Sequence, residues 1–311
     1  MSLDPRVQRF LAILAAGNPP NALDTSVAER RKALADLMAL GADEAPIGQT
    51  EDRRIPGPAG ALPVRIYTPD HASARLMPGL LYLHGGGLVA GSIATHDAIA
   101  RALANAGACR VVSLEYRLAP EHRFPAALDD SLAAIHYLTE NAAEFNIDPT
   151  RLGVCGDSAG GTLAAAACHA LARSGGPLLA LQLLLCPILD YSRKTQSRRE
   201  FAAGYLVDEA TLDHDLLYYL PAGTDPADPR ISPLRALDLR GLPRTIIHTA
   251  QFDPMRDEGR DYGERLRDAG VLVSTTCHPG MIHLFYGLGK VIPYARTAMD
   301  RIGAGIREAL A

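Results

Sequence analysis

The residues with the most specific chemistry in this sequence are the pentapeptide GDSAG at positions 156–160, with Ser158 at its centre. An apolar run at 152–155 precedes the pentapeptide and an alanine-rich stretch at 162–172 follows it, which predicts a strand, a sharp turn and a helix. Side chains two residues on either side of the serine would collide with the backbone of so sharp a turn, and the glycines remove them. The pattern is typical of a nucleophile elbow, in which a serine hydroxyl stands at the N-terminus of a helix whose dipole favours a nearby oxyanion.

A serine is a weak nucleophile unless a base takes its proton and an acid orients that base. In enzymes with such an elbow, the acid and then the histidine follow the serine along the chain. Asp253 is the predicted acid, because it follows the strand-like segment 245–249 and because Pro254 restricts its backbone. Asp257 and Asp261 are alternatives, but both fall within the predicted helix 257–269.

His283 is the predicted base. It lies in a glycine-containing loop that follows the predicted strand 271–277. His278 is the alternative for this role. Three further histidines lie in helix or strand patterns and are expected to be structural: His136, His169 and His248.

An oxyanion forms when a serine attacks a carbonyl carbon, and backbone N–H groups must stabilise it. The segment HGGG at 84–87 comes directly after the apolar strand 80–83, and its glycines place no Cβ atom between the backbone amides and a reacting oxygen. The predicted oxyanion donors are the amides of Gly85, Gly86, Gly87 and Ala159.

Apolar strands alternate with amphipathic helices along most of the chain, which predicts a mainly parallel central sheet with helices on both faces. The predicted strands are 51–55, 64–67, 80–83, 110–114, 152–155, 178–186, 245–249 and 271–277. The first two flank a Gly/Pro-rich passage and are expected to be antiparallel edge strands. The predicted helices are two within 5–41, then 95–106, 126–145, the helix after Ser158, 209–219, 257–269 and 293–310.

Residues 190–240 interrupt this alternation with polar, aromatic and proline residues between two core strands. An insertion of this size over a sheet usually forms part of a lid. We therefore expect a catalytic core from 46–189 and 241–311, with 190–240 contributing to a cap.

Composition excludes several classes of function. A net charge of −4 does not favour nucleic acid or an anionic membrane surface as a partner. No apolar run approaches the roughly 20 residues of a membrane span, and the N-terminus lacks the basic region of a signal peptide. Five cysteines without a Cys-x-x-Cys pair predict buried free thiols rather than a zinc site or a disulfide framework. We expect a cytoplasmic protein.

Taken together, the motifs resemble those of the hormone-sensitive-lipase-like bacterial carboxylesterases of the α/β-hydrolase fold. The resemblance covers nearly the whole chain, and the motifs occur in the expected order. The matching segments are HGGG at 84–87 with Gly91 and Ser92, YRLAPE at 116–121, FPAA at 124–127, GDSAG at 156–160, DPMRDEG at 253–259, and His283.

The resemblance implies Ser158 as nucleophile, His283 as base and Asp253 as acid, with the glycine loop and Ala159 as oxyanion donors. It also implies a helical cap formed by residues 1–45 together with part of 190–240. Many members of the family dimerise near the segment that corresponds to 271–283, so a homodimer is expected. The sequence departs from the family at Leu284, where a glycine often follows the histidine; the pocket-lining candidates are Leu88, Leu206 and Leu284.

Two supporting roles are also expected. The Asp157 side chain should point away from the nucleophile and bond to the backbone, to Arg117 or to Tyr116, because a second negative charge beside the oxyanion is unfavourable. The segment 116–121 is expected to support the structure rather than to contact substrate.

The predicted function is hydrolysis of short- to medium-chain carboxylic esters by two-step acyl transfer, with no cofactor and no metal. An amidase or deacetylase with the same triad is an alternative. A non-catalytic receptor is a further alternative, since plant gibberellin receptors share the fold, but these receptors lose the histidine that this chain has at His283.

Overall fold

The fold is built on an eight-stranded sheet in the order β1-β2-β4-β3-β5-β6-β7-β8. The computed structural model describes residues 2–17, 24–43, 45–70 and 76–311. Neighbouring strands run parallel in the part of the sheet formed by β4, β3, β5, β6, β7 and β8. Strands β1 and β2 pair antiparallel with each other, and β2 pairs antiparallel with β4. The strands are β1 Gln49–Gly57, β2 Gly60–Thr68, β3 Met77–Leu83, β4 Arg110–Leu114, β5 Ile147–Asp157, β6 Leu181–Leu185, β7 Thr245–Phe252 and β8 Val273–Ile282. The prediction of a mainly parallel sheet with antiparallel strands at one edge is confirmed.

The helices cover both faces of this sheet. They are α1 Pro5–Ala16, α2 Val27–Gly41, α3 Asp97–Gly107, α4 Ala126–Glu140, α5 Ala159–Ser174, α6 Gln196–Glu200, α7 Glu209–Tyr219, α8 Arg256–Asp268 and α9 Tyr294–Ala309. Successive residues of a strand point to opposite faces. In β3, Leu81 and Leu83 therefore join the core beneath α4, α5 and α8, while Leu80 and Tyr82 join the core beneath α3 and α9.

Several predicted elements have different bounds in the structure. Strand β8, predicted over 271–277, extends to Ile282, so His283 directly follows the strand. The helix predicted over 126–145 ends at Glu140 and a separate 3-10 turn, Ala142–Phe145, follows it. Strand β5 begins at Ile147, earlier than predicted, because Ile147 pairs with Met77 of β3. Strand β6 ends at Leu185 rather than at residue 186, since Cys186 has a φ of 45° and cannot continue an extended strand.

The two segments predicted to form the cap contact each other. Helix α2 begins with a capping box, in which Ser26 and Glu29 bond reciprocally, and ends at Gly41. An ion pair of 2.9 Å between Arg30 of α2 and Asp215 of α7 joins the two segments. Residues 1, 18–23 and 44 of the predicted N-terminal cap lie outside the described residues.

No helix in the described ranges has both the length and the apolar character that a membrane span requires.

Candidate active site

The serine predicted as nucleophile lies in a strained turn between β5 and α5. Ser158 has φ and ψ of 51° and −120°, a conformation that costs roughly 1–3 kcal/mol for a residue with a side chain. A Cβ atom on Gly156 would overlap the carbonyl oxygen of Gly160, and one on Gly160 would overlap the carbonyl oxygen of Leu83. The turn therefore requires glycine at both positions, as the sequence pattern indicates.

The three residues predicted as nucleophile, base and acid form one hydrogen-bonded triad. The Ser158 Oγ atom lies 2.9 Å from His283 Nε2, and His283 Nδ1 lies 2.9 Å from Asp253 Oδ2. A carboxylate can only accept a hydrogen bond, so the proton of the neutral imidazole is on Nδ1 and Nε2 is free to accept the serine proton. The second Asp253 oxygen accepts the backbone N–H of Met255 at 2.8 Å, which fixes the carboxylate.

The triad lies at the carboxyl edge of the sheet and is shielded from water. Ser158 is 8% exposed, His283 2% and Asp253 0%. Burial by itself lowers the pKa of His283, but the charge and hydrogen bond of Asp253, with a further contribution from the charge of Asp157, raise the pKa above its usual value. Asp253 therefore stabilises the imidazolium that forms when His283 takes a proton.

The alternative acids and base have other partners. Asp257 accepts the Ser197 amide at 2.8 Å and pairs with Arg256 at 3.0 Å. Asp261 pairs with Arg260 near the surface. His278 bonds to His248 and Tyr294, at 3.0 and 3.1 Å. Of the candidates weighed from the sequence, the structure brings Asp253 and His283 to Ser158.

The glycine loop offers fewer free amides than predicted. The N–H of Gly85 donates to Asp157 Oδ1 at 2.9 Å, so the prediction of Gly85 as an oxyanion donor is wrong. Within the described ranges, the amides of Gly86, Gly87 and Ala159 have no hydrogen-bond acceptor. Gly86 and Gly87 have φ values of 121° and 67°, which favour glycine.

Comparison with known proteins establishes the family. A family model described as the alpha/beta hydrolase fold matches residues 80–287. The arylesterase of Saccharolobus solfataricus is 37% identical over 99% of both chains. The chain belongs to the hormone-sensitive-lipase-like carboxylesterases. The ethyl acetate hydrolase of Pseudomonas putida is 34% identical over the full length of both chains.

The esterase also matches solved structures of the family over nearly its whole length. An ester hydrolase from the metagenome of Lake Arreo, solved in complex with a derivative of bipyridine phosphonate, superposes with a TM-score of 0.95. That protein is 40% identical, and the match covers 98% of each chain. The expectations of an α/β-hydrolase fold and of a carboxylesterase are confirmed.

A buried polar cluster supports the glycine loop of the esterase from below. Asp157 Oδ1 accepts both the Tyr82 hydroxyl, at 2.6 Å, and the Gly85 amide. Its second oxygen lies 3.6 Å from His96 Nε2, and all of these side chains are buried. The His84 ring stacks on His96, with ring centroids 5.3 Å apart. The cluster links the residue before the nucleophile to the first amide of the loop.

The partners predicted for Asp157 are therefore only partly correct. Asp157 does bond to the backbone, at the Gly85 amide, but it bonds to neither of the two predicted side chains. Arg117 pairs with Asp130 at 2.7 Å, and the Tyr116 hydroxyl donates to the carbonyl oxygen of His84 at 2.6 Å. Tyr116 and Arg117, the first two residues of the 116–121 segment, thus make structural contacts. Sequence reasoning missed His96 and Tyr82, because neither belongs to a motif.

Burial and neighbouring charges set the protonation of this cluster. Burial raises the pKa of Asp157, but the facing His96 and the Tyr82 hydroxyl outweigh burial, so that the pKa lies below its usual value. Burial, with the charge of His96, lowers the pKa of His84 to about 3. Asp157 therefore carries a negative charge near His283, while His84 is neutral.

Helix α7 meets the glycine loop at Gly87. A Cβ atom on Gly87 would overlap the carboxylate of Asp215, the residue that pairs with Arg30. Burial raises the pKa of Asp215, and the guanidinium of Arg30 opposes that rise. The glycine loop is thus packed directly against α7, which an ion pair joins to α2.

The three predicted pocket residues share one backbone feature. Leu88, Leu206 and Leu284 have φ values of 64°, 80° and 61°, in the left-handed region that side chains rarely adopt. Leu88 directly follows the glycine loop and Leu284 directly follows His283, and both are buried. Their contact with substrate stays a prediction.

The cysteines are free thiols, but they are not all buried. Four of them are buried as expected: Cys109, Cys155, Cys168 and Cys186. The prediction that the thiols are buried is wrong for Cys277 of β8, which is exposed. Within the described ranges, the one group of three side chains with metal-ligand geometry consists of Cys186, Asp253 and His283.

The charge of Asp157 predicts a change in pH dependence. His283 must be neutral to act as a base, so kcat/KM falls as the pH drops through its pKa. Because Asp157 helps to raise this pKa, Asp157→Asn should move the acid limb of the kcat/KM profile to lower pH. The control is Asp130→Asn, which removes a buried carboxylate that pairs with Arg117 instead. An acid limb that stays in place in Asp157→Asn, or moves to higher pH, contradicts this electrostatic coupling.

Proposed function

We propose that this carboxylesterase hydrolyses esters with short to medium acyl chains through a covalent acyl-enzyme on Ser158. The observation that carries the proposal is the hydrogen-bonded triad Ser158–His283–Asp253, with 2.9 Å at each hydrogen bond. Beside it lie the amides of Gly86, Gly87 and Ala159, which have no acceptor among the described residues. Nucleophile, base, orienting acid and oxyanion donors are the four parts that acyl transfer by a serine needs.

In the first step, Ser158 Oγ attacks the ester carbonyl carbon while His283 Nε2 accepts the hydroxyl proton. Asp253 keeps the imidazole in the correct tautomer and stabilises its charged form. The carbonyl oxygen becomes an oxyanion that accepts hydrogen bonds from Gly86, Gly87 and Ala159. One such donor is worth roughly 3 kcal/mol in the transition state. His283 then gives its proton to the alkoxide oxygen, and the alcohol leaves.

In the second step, water replaces the alcohol. His283 takes a proton from the water, whose oxygen attacks the acyl carbon, and the same amides stabilise the second oxyanion. Collapse of this intermediate breaks the bond to Ser158 Oγ, and His283 returns the proton to the serine. The carboxylic acid leaves, and the site is restored without a cofactor or a metal.

The cap supports a limit on acyl length. Asp215 packs against Gly87, so the space above the oxyanion donors is bounded by α7 and by α2, which is paired to it. The relative from Pseudomonas putida is named an ethyl acetate hydrolase, which is in line with small acyl groups. Leu88, Leu206 and Leu284 are the side chains that we expect to set the depth of the pocket.

Amide hydrolysis or deacetylation remains the second candidate, because the same triad can cleave either bond.

We also propose that the esterase works in the cytoplasm, since five free thiols suit a reducing compartment. Strand β8 ends the sheet, and a homodimer formed along this edge is proposed from the family resemblance.

A panel of p-nitrophenyl esters from acetyl to palmitoyl tests the proposal. The wild type should turn over short and medium chains best, and Ser158→Ala should lose at least about 10³-fold in kcat, because it removes the hydroxyl that forms the acyl-enzyme. Circular dichroism checks that the variant is folded. A folded Ser158→Ala variant with near wild-type turnover would exclude Ser158 as the nucleophile, and a preference for palmitoyl would exclude the proposed acyl range.

The choice of acid is tested by a matched pair of carboxylates. Asp253→Asn should reduce kcat by roughly 10⁴-fold, since the amide favours the wrong histidine tautomer. Asp257→Asn changes a buried carboxylate only four residues away that does not bond to His283, so it should have a far smaller effect on kcat. If Asp257→Asn proved the more damaging change, Asp253 would not be the acid.

A further inference from the structure

Three strand ends bring metal-ligating side chains together beside the nucleophile. Cys186 follows β6, Asp253 follows β7 and His283 follows the last residue of β8. The thiol sulfur, a carboxylate oxygen and an imidazole nitrogen all lie within 4.8 Å of one another. Each side chain is at least nine-tenths buried, and the mechanism above has no role for the thiol.

This combination of ligands is suited to a particular class of cation. Zn²⁺ binds thiolate, imidazole and carboxylate at about 2.0–2.3 Å, and many zinc sites combine three protein ligands with one open position. Ligands of a tetrahedral ion at these bond lengths are about 3.5 Å apart, so side-chain rotations of about 1 Å would close the group around an ion. Hard cations such as Mg²⁺ prefer oxygen ligands and would not select the cysteine.

The backbone holds the Cys186 sulfur in this position. The Cys186 amide donates to the His248 carbonyl oxygen at 2.7 Å, and its φ of 45° ends β6 abruptly. The backbone N–H of Leu284 bonds to the sulfur and favours the thiolate, although burial and the charge of Asp253 keep the thiol pKa well above its usual value. The thiol also hydrogen-bonds to Asp253. A bound cation would replace the thiol proton and link the sulfur to the carboxylate in its place.

We propose that Cys186, Asp253 and His283 form a binding site for Zn²⁺ or a similar thiophilic divalent cation, and that the bound cation reversibly switches off the esterase. Binding releases the thiol proton to solvent, and also the Nδ1 proton if that nitrogen is the ligand; nothing is oxidised or reduced. Coordination through Nδ1 removes the hydrogen bond to Asp253, whereas coordination through Nε2 removes the base from Ser158. Inhibition therefore rests on the proposed roles of these residues, but metal binding itself does not.

Burial also predicts how inhibition develops. Each of the three residues is 2% exposed or less, so we expect the surrounding loops to move before a cation enters. We expect slow-onset inhibition that EDTA reverses slowly. The exposed Cys277 is a second thiol that an ion can reach, and it provides the matched control.

The first experiment measures ester hydrolysis after incubation with increasing ZnCl₂, with each protein normalised to its own metal-free rate. We expect Cys277→Ser to be inhibited like the wild type, and Cys186→Ser to need at least tenfold more zinc for half inhibition. Cys186→Ala is the second variant in case the serine perturbs folding. Equal zinc sensitivity in Cys186→Ser and the wild type would overturn the proposal.

The second experiment does not depend on activity. Co²⁺ added to the Cys277→Ser variant should produce a thiolate-to-cobalt charge-transfer band in the near ultraviolet. The double variant Cys277→Ser/Cys186→Ser should not show this band. A band without loss of hydrolysis would keep the metal site but contradict the proposed triad roles. No band, together with no bound zinc in equilibrium dialysis, would contradict the site itself.

Discussion

The structure of the site depends on one backbone constraint, the close approach of β5, α5 and the end of β3 around Ser158. The serine has a φ of 51°, and glycine is required at 156 and 160 because any Cβ atom there would overlap a carbonyl oxygen. This turn places the hydroxyl above the carboxyl ends of the parallel strands, where the connections after β7 and β8 deliver Asp253 and His283. The strain is offset by the packed sheet and helix on either side of it.

Two sets of contacts prepare the surroundings of the serine for developing negative charge. Below the glycine loop, Asp157 binds the Gly85 amide and the Tyr82 hydroxyl, which fixes the loop. The next two amides have no acceptor in the part of the chain that the structure describes. Above the loop, Asp215 packs on Gly87 and pairs with Arg30. Amides that are already oriented need little reorganisation when an oxyanion forms, which is the usual source of a large electrostatic contribution to catalysis.

The sequence predicts those features whose physical cause is local. The elbow requires glycine two residues from Ser158, strands and helices follow their hydrophobic periods, and a proline after Asp253 marks a rigid strand end. Features that depend on distant partners were missed. The HGGG segment predicts Gly85 as an oxyanion donor, and no local pattern reveals that Asp157, 72 residues away in the chain, accepts its amide. His96 and Tyr82 belong to no motif, and Cys186 meets Asp253 and His283 only because three strands end side by side.

The most direct test of this account is to trap the acyl-enzyme. The wild type is mixed with p-nitrophenyl acetate, quenched in acid within the first turnovers, digested and analysed by mass spectrometry, with His283→Ala treated in parallel. The account predicts an acetyl group on Ser158, within the peptide that contains residues 156–160, and far slower acetylation when His283 is replaced. Rapid turnover by the wild type with no adduct, or with an adduct on another residue, would contradict it.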